Sequence, residues 1–143
     1  MFVRALIMGL LLASALPIGG PAHAGDFVII VNPDGPLRDA DASDIKEIYL
    51  GEKRFSDSVK LVPINHVEGQ MKDAFLKNVV GMDSKAYRLY WIKKVFQDGV
   101  PIPPSMGNIS AIIDMVKIEK GAVAYVPEGA VLDKEAGIIK FIP

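Results

Sequence analysis

Uninterrupted runs of apolar residues predict the strands of this chain. The clearest run is Phe27–Val31, five apolar residues rich in β-branched side chains, and a run of this kind is typical of a strand that is covered on both faces, as in parallel sheets. Further runs predict strands at 59–64 and 122–126, with a last strand at 137–142. The prolines and glycines around these runs indicate loops.

Apolar residues at helical spacing predict four helices between the strands. The first begins at Asp41 or Ser43, either of which is a suitable N-cap, and the last begins at Asn108. The longest runs from Asp83 or Ser84 to about Phe96. The apolar positions of the other three helices are Ile45, Ile48 and Tyr49; Met71, Phe75, Leu76 and Val79; and Ile109, Ile112, Ile113 and Val116.

Strands that alternate with helices predict a layered α/β domain with a mainly parallel sheet. The core is expected to draw on every predicted element. Its expected members are Val28, Ile30, Ile48, Phe75, Ile92, Phe96, Ile112, Val116 and Val123.

The first 24 residues have the pattern of a secretory signal peptide. One arginine precedes an apolar run of 12 residues at 5–16, and Ala22-His23-Ala24 provides small residues for cleavage. A transmembrane anchor is the alternative, although a span needs roughly 20 apolar residues. We therefore expect cleavage after Ala24 and a soluble periplasmic domain at 25–143.

Charge and motif content argue against several classes of function. The chain has 16 basic and 17 acidic residues, so no basic excess indicates a nucleic-acid partner. No nucleophile elbow and no phosphate or dinucleotide loop is found. His66 is the only histidine after the predicted signal peptide, and the chain has no cysteine, so no zinc-ligand pattern is present. We expect neither catalysis nor a cofactor.

Four spaced segments together resemble one known family. They are the strand 27–32 followed by DIKEIYLG at 44–51, VPIN with EG and Phe75 at 62–75, YW with VF and PP at 90–104, and GAVAYV at 121–126. In order and spacing they resemble the small phosphate-binding-protein-like domains, relatives of the substrate-binding component of phosphate ABC transporters. The resemblance covers roughly 27–126.

The resemblance implies a fold and a function. It implies a single three-layer lobe of a type 2 periplasmic-binding-protein-like fold with a mainly parallel mixed sheet. It also implies a solute-binding protein for phosphate or a related oxyanion, working with a periplasmic or inner-membrane transporter. Because ligands of open α/β sheets bind at the carboxyl ends of the strands, the residues implied as ligand contacts are Asn32, Asn65, His66, Gly69, Gln70, Met71, Ser105 and Asn108.

Two departures from the family pattern favour an alternative function. The family's Ser-Gly-Thr is replaced here by Glu68-Gly69-Gln70-Met71, which removes two hydroxyl donors and adds a carboxylate, and its arginine is replaced by Asn65 or His66. The chain is also long enough for one lobe only, so it cannot close on a ligand unless it dimerises or docks on another protein. The alternative is a periplasmic interaction or regulatory module that has lost ligand binding.

Overall fold

The computed structural model describes residues 27–131 and, for their backbone, residues 139–141. The predicted signal peptide therefore lies outside the described residues. Within them, no helix is long and apolar enough to cross a bilayer.

The elements are β1 (Phe27–Val31), α1 (Ala42–Tyr49), β2 (Phe55–Ser56), β3 (Val59–Lys60), β4 (Val62–Pro63), β5 (Asn65–His66), α2 (Gln70–Phe75) with a π-helical turn (Leu76–Val80), α3 (Ser84–Asp98), β6 (Ser105–Met106), α4 (Ile109–Ile118), β7 (Ala122–Pro127) and β8 (Ile139–Phe141).

The central sheet has the strand order β4-β7-β1-β8. Strand β1 is antiparallel to both β7 and β8, and only β4 runs parallel to its neighbour β7. The prediction of a mainly parallel sheet is therefore wrong for the described strands. A continuous apolar run reports that both faces of a strand are buried. It carries no information about strand direction, which depends on the connections.

Helices cover both faces of this sheet, so the described domain has three layers. Ile29 and Val31 of β1 pack with α1, α2 and α3, while Val28 and Ile30 pack with α4 on the other face. This split follows from the alternation of side chains along a strand. Strand β7 is buried on both faces in the same way.

The predicted helix starts at Asp41 and Asn108 are confirmed. The Asp41 carboxylate accepts from the Asp44 amide at 2.9 Å, and the Asp44 carboxylate accepts from the Asp41 amide at 3.0 Å, which completes a capping box. The Asn108 side chain accepts from the Ala111 amide at 3.0 Å. These local bonds satisfy amide groups that have no partner within the helix.

The strand predicted at 59–64 is divided between two short strands, β3 and β4. Asp57 and Ser58 have φ of 49° and 65° and form the two-residue loop of the β2–β3 hairpin, in which Ser56 pairs with Val59. Beyond this hairpin, β4 joins the central sheet, and β5 pairs with β6 in a separate two-stranded sheet. This turn lies in the polar segment 52–58 that is predicted as a turn before the strand, although a positive φ is uncommon at a non-glycine residue.

Helix α3 has the predicted extent, but it buries a different face from the one predicted. Tyr87 and Trp91 are buried, whereas Ile92 is 61% exposed and Phe96 is 91% exposed. The other core predictions are confirmed. The aromatic residues face inward because Tyr87 Oη and Trp91 Nε1 both donate to the Tyr49 carbonyl, at 2.9 and 3.2 Å. Tyr87 and Trp91, whose polar atoms are hydrogen-bonded, thus occupy the helix–sheet interface in place of the predicted Ile92 and Phe96.

Candidate functional site

Two of the three predicted ligand-binding segments meet in the structure. Asn65 pairs with Ser105 and His66 pairs with Met106 in the parallel β5–β6 ladder. The Asn65 amide donates to the Pro104 carbonyl at 2.8 Å, and the Val67 amide donates to the Met106 carbonyl at 3.3 Å. The Asn65–Met71 junction and the turn before α4 therefore lie side by side.

Asn32, the third part of the predicted site, lies at the opposite end of the sheet. In the β1–β7 register Val31 pairs with Val123 and Phe27 with Pro127, so β1 ends where β7 begins. The buried Asn32 side chain donates to the Val116 and Lys117 carbonyls at 2.9 and 3.1 Å, and its oxygen accepts from the Asp34 amide at 2.9 Å. The two donated bonds satisfy carbonyl groups in the last turn of α4. Asn32 therefore stabilises the contact between the end of β1 and α4.

Asn65 is the centre of a buried hydrogen-bond network of aromatic residues. Its Nδ2 donates to Tyr87 Oη at 3.1 Å, and its Oδ1 accepts from Tyr125 Oη at 3.1 Å. Tyr49 Oη donates to the Ile64 carbonyl at 2.9 Å. Burial raises the pKa of Tyr87 to about 12 and raises the pKa of Tyr49 and Tyr125 as well. The phenols are therefore neutral, and the network supports the fold.

His66 belongs to the same network. Its backbone amide donates to Tyr125 Oη at 3.1 Å, and its Nε2 lies 2.6 Å from the Tyr125 carbonyl oxygen. Because a carbonyl can only accept, Nε2 carries the proton in this arrangement. Burial lowers the pKa of His66, an effect that the bond to the Tyr125 carbonyl partly opposes. A neutral imidazole is consistent with a structural residue and offers no positive charge to an anion.

The remaining predicted residues offer mainly backbone groups. Gly69, at the N-cap of α2, has no side chain to offer a ligand, and Gln70 is exposed. The Met71 side chain packs against the core that lies beneath α2. Asn108 is used as the cap of α4, and Ser105 is exposed on β6. The predicted residues thus contribute few free polar side chains to the junction.

The polar cluster that the structure assembles beside this junction is centred on Glu68. Its two carboxylate oxygens accept from Lys72 Nζ and from Ser84 Oγ, each at 2.8 Å. These two donors lower the pKa of Glu68, Lys72 more than Ser84, with a smaller electrostatic contribution from Arg88. Lys72 is largely buried, and its Nζ lies 5.9 Å from the centre of the Tyr87 ring. An ammonium and a hydroxyl thus donate to one carboxylate, and the charge of Arg88 acts on it electrostatically.

Sequence reasoning did not identify this cluster. Lys72 lies in α2, whereas Ser84 lies in α3, so the two donors converge on Glu68 only when the helices pack. Two signals were nevertheless available in the sequence. Glu68 and Lys72 have i,i+4 spacing, and Arg88 interrupts the apolar positions of α3.

The arrangement is suited to holding an anion by charge and hydrogen bonds. Among residues 27–131 and 139–141, no group of three or more His, Asp or Glu side chains is placed to hold a metal ion. The position that an external anion would take is filled by the protein's own Glu68 carboxylate.

Comparison with known proteins yields a likeness of fold. No family model matches the sequence, and no curated protein matches it. Among solved structures, the chain is similar to an ABC-type phosphate transport receptor from Vibrio cholerae, with a TM-score of 0.58 and 14% sequence identity. The match covers 80% of this chain and 44% of the receptor chain. The chain therefore has a fold related to that of a phosphate transport receptor and matches less than half of that receptor's length.

Proposed function

We propose that this chain is a periplasmic-binding-protein-like lobe that recognises an oxyanion, with phosphate as the first ligand to test, and that it is not an enzyme. The likeness to a phosphate transport receptor supports the class of protein. The observation that carries the proposal is the convergence of Lys72 and Ser84 on one carboxylate, with Arg88 nearby. An exported solute-binding role beside a transporter is the setting that we propose for it.

In this proposal, an incoming oxyanion replaces the carboxylate of Glu68. Lys72 would supply a charge-assisted hydrogen bond, Ser84 a hydroxyl donor, and Arg88 a second cation. Glu68 is 65% exposed at its side chain and Lys72 is 11% exposed. The carboxylate can therefore swing into solvent, whereas the ammonium stays in place. Glu68 acts as an internal competitor of the ligand.

Binding by the unmodified monomer is expected to be weak. Phosphate loses hydration when it binds, and one open lobe leaves several of its oxygens without protein donors. Glu68 adds repulsion for any anion that enters beside it. We expect a dissociation constant no tighter than about 1 mM, equivalent to about 4 kcal/mol.

Replacement of Glu68 by an uncharged isostere tests the proposed site. Glu68→Gln should bind phosphate roughly tenfold more tightly than the unmodified protein, about 1.4 kcal/mol, because the competing charge is gone. Asp98→Asn is the matched control, since it removes a carboxylate that pairs with Lys94 at 3.4 Å elsewhere on α3. Calorimetric titration with inorganic phosphate measures all three proteins.

The second variant tests which donors hold the anion. Adding Lys72→Met to Glu68→Gln should abolish the gain, while circular dichroism checks that both variants remain folded. If Glu68→Gln binds phosphate no better than Asp98→Asn, the oxyanion site proposed here is wrong. Micromolar binding by the unmodified protein would also contradict it, because Glu68 would then not be an effective competitor.

The alternative function is a periplasmic interaction or regulatory module that binds no small ligand. The observation that favours it is that Glu68 already satisfies Lys72 and Ser84, while Asn65 and His66 are bonded within the fold. Failure of Glu68→Gln to bind phosphate or sulfate would favour this alternative.

A further inference from the structure

A pocket with apolar walls is formed by the β2–β3 hairpin, β4, the end of α1 and the proline-rich segment 100–104. It has a volume of about 200 Å³. Four of the residues that line it are at most 9% exposed: Ile48, Leu61, Trp91 and Val100. Because side chains of the core line this space, the pocket reaches inward from the surface. It shares no residue with the Glu68 cluster.

The walls of the pocket are held in place by the fold. Trp91 Nε1 donates to the Tyr49 carbonyl at 3.2 Å, and the edge of the indole ring lies against Gly51, where a Cβ would come within 2.7 Å of Cη2. Segment 100–104 contains three prolines that also line the pocket, Pro101, Pro103 and Pro104, and a proline ring fixes φ. A pocket with rigid walls loses little conformational freedom when a ligand binds.

The charged residues that line the pocket are all basic. They are Lys53, Arg54 and Lys60, and no acidic residue lines it. Lys53 Nζ pairs with Asp44 at 3.1 Å, whereas Arg54 and Lys60 form no ion pair with the side chains of residues 27–131. An anionic group that enters this pocket therefore meets cations that are not already neutralised, and it is attracted to them.

Arg54 leaves the hairpin on the face that forms the pocket. Phe55 pairs with Lys60, and the Leu61 amide donates to the Arg54 carbonyl at 2.8 Å, so Arg54 lies opposite Leu61. Opposite residues of an antiparallel pair have their side chains on the same face. Leu61 is buried in the pocket wall, whereas Arg54 is exposed. The guanidinium can therefore reach the charged end of a ligand whose apolar part lies against Leu61.

We propose that this pocket binds a small organic acid, a carboxylate carried by a single ring or a short branched chain. The volume sets the size of the ligand, because an apolar cavity of about 150 Å³ holds one benzene ring. The apolar walls favour a hydrocarbon body, and the basic residues favour a carboxylate at its end. Inorganic phosphate has no apolar part, so this site is separate from the oxyanion site and goes beyond the proposed function.

Tryptophan fluorescence tests the pocket directly. Trp91 is the only tryptophan of the chain, so its emission reports on the pocket that it lines. Titration with phenylacetate at constant ionic strength should change the emission with a dissociation constant of roughly 0.1–1 mM, as expected for a ligand of about ten non-hydrogen atoms. Phenylacetamide has the same ring without the charge, and it should bind roughly tenfold more weakly.

Three variants locate the binding. Arg54→Gln should weaken phenylacetate binding roughly tenfold and leave phenylacetamide binding unchanged. Arg38→Gln is the matched control, because Arg38 is exposed and does not line the pocket. Trp91 also borders an outer groove that Phe96 lines, so Phe96→Ser should bind phenylacetate like the unmodified protein. Circular dichroism checks that each variant is folded.

Four results would overturn the proposal. They are an emission that does not respond to phenylacetate, equal binding of phenylacetate and phenylacetamide, an equal effect of the two arginine substitutions, and loss of binding in Phe96→Ser. The last of these would place the probe on the outer face of α3.

Discussion

At the scale of single residues, the structure changes the meaning of the polar positions near the strand ends. Asn32, Asn65 and His66 were predicted as ligand contacts, and the structure shows that each is buried and makes hydrogen bonds within the fold. A polar residue after a strand can form hydrogen bonds with a ligand or with the surrounding backbone, and the sequence pattern does not distinguish these two roles. The difference lies in how many of its hydrogen bonds are already made.

Asn65 should be more important for stability than its exposed neighbour. Asn65→Ala removes a partner from Tyr87 and from Tyr125, which leaves buried polar atoms unsatisfied and should cost about 1–3 kcal/mol. Ser105→Ala, on the paired strand, should stay within about 0.5 kcal/mol. Urea unfolding of the two variants measures the difference. Equal values for both would contradict the buried network.

His66 should make the folded state sensitive to mild acid. Its pKa is lowered by burial, so the unfolded chain binds a proton more readily, and stability falls as the pH drops below about 6.5, the unfolded value. His66→Gln should flatten the change in unfolding free energy between pH 7.5 and about 5.5. The pKa of Glu68 is also lowered. Its ionised carboxylate therefore stabilises the fold at neutral pH, and this contribution is lost only as the pH falls below the usual pKa of a glutamate. An unchanged slope in His66→Gln would show that the imidazole titrates normally.

At the scale of elements, the helix caps were predictable and the burial of α3 was not. The caps at Asp41 and Asn108 depend on bonds to residues three positions along the chain. The face that α3 buries depends instead on what the neighbouring elements provide, here the Tyr49 carbonyl that accepts from Tyr87 and Trp91. The apolar pattern predicted Ile92 and Phe96 as core residues, and the structure buries Tyr87 and Trp91 instead.

Two phenylalanines that look equivalent in sequence should differ strongly in their contribution to the free energy of unfolding. Phe75 is fully buried and stacks on Tyr125 with ring centres 3.9 Å apart, so Phe75→Ala should cost about 3–5 kcal/mol. Phe96→Ala should change stability by less than about 0.5 kcal/mol, because the ring is exposed in the monomer. Denaturant unfolding of the two variants compares them. A small loss in Phe75→Ala would contradict the packing of α2 on the sheet.

At the scale of the whole molecule, the direction of β1 decides which ends of the sheet come together. Because β1 is antiparallel to β7, its last residue lies beside Val123, and Asn32 is separated from the junction that follows β5. The chain has a fold related to that of a phosphate transport receptor but matches 44% of that receptor's chain.

Export of the domain is a prediction that lies outside the described residues. The motif Ala22-His23-Ala24 after a short apolar run predicts cleavage after Ala24. The intact mass of protein recovered from the periplasm should correspond to a chain that begins at Gly25. A mass that retains residues 1–24 would contradict cleavage and favour the membrane-anchor alternative.

The sequence by itself determined the local features of this protein. Apolar runs and helical spacing located the strands at both ends of the fold and the four helical segments, and short polar side chains marked two helix starts, because these features depend on neighbours a few residues apart. Only the tertiary structure decided the direction of β1, the outward face of α3, and the meeting of Glu68 with Lys72 and Ser84. Each of these depends on elements brought together from distant parts of the chain, and packing and hydrogen bonding between them outweigh local preference.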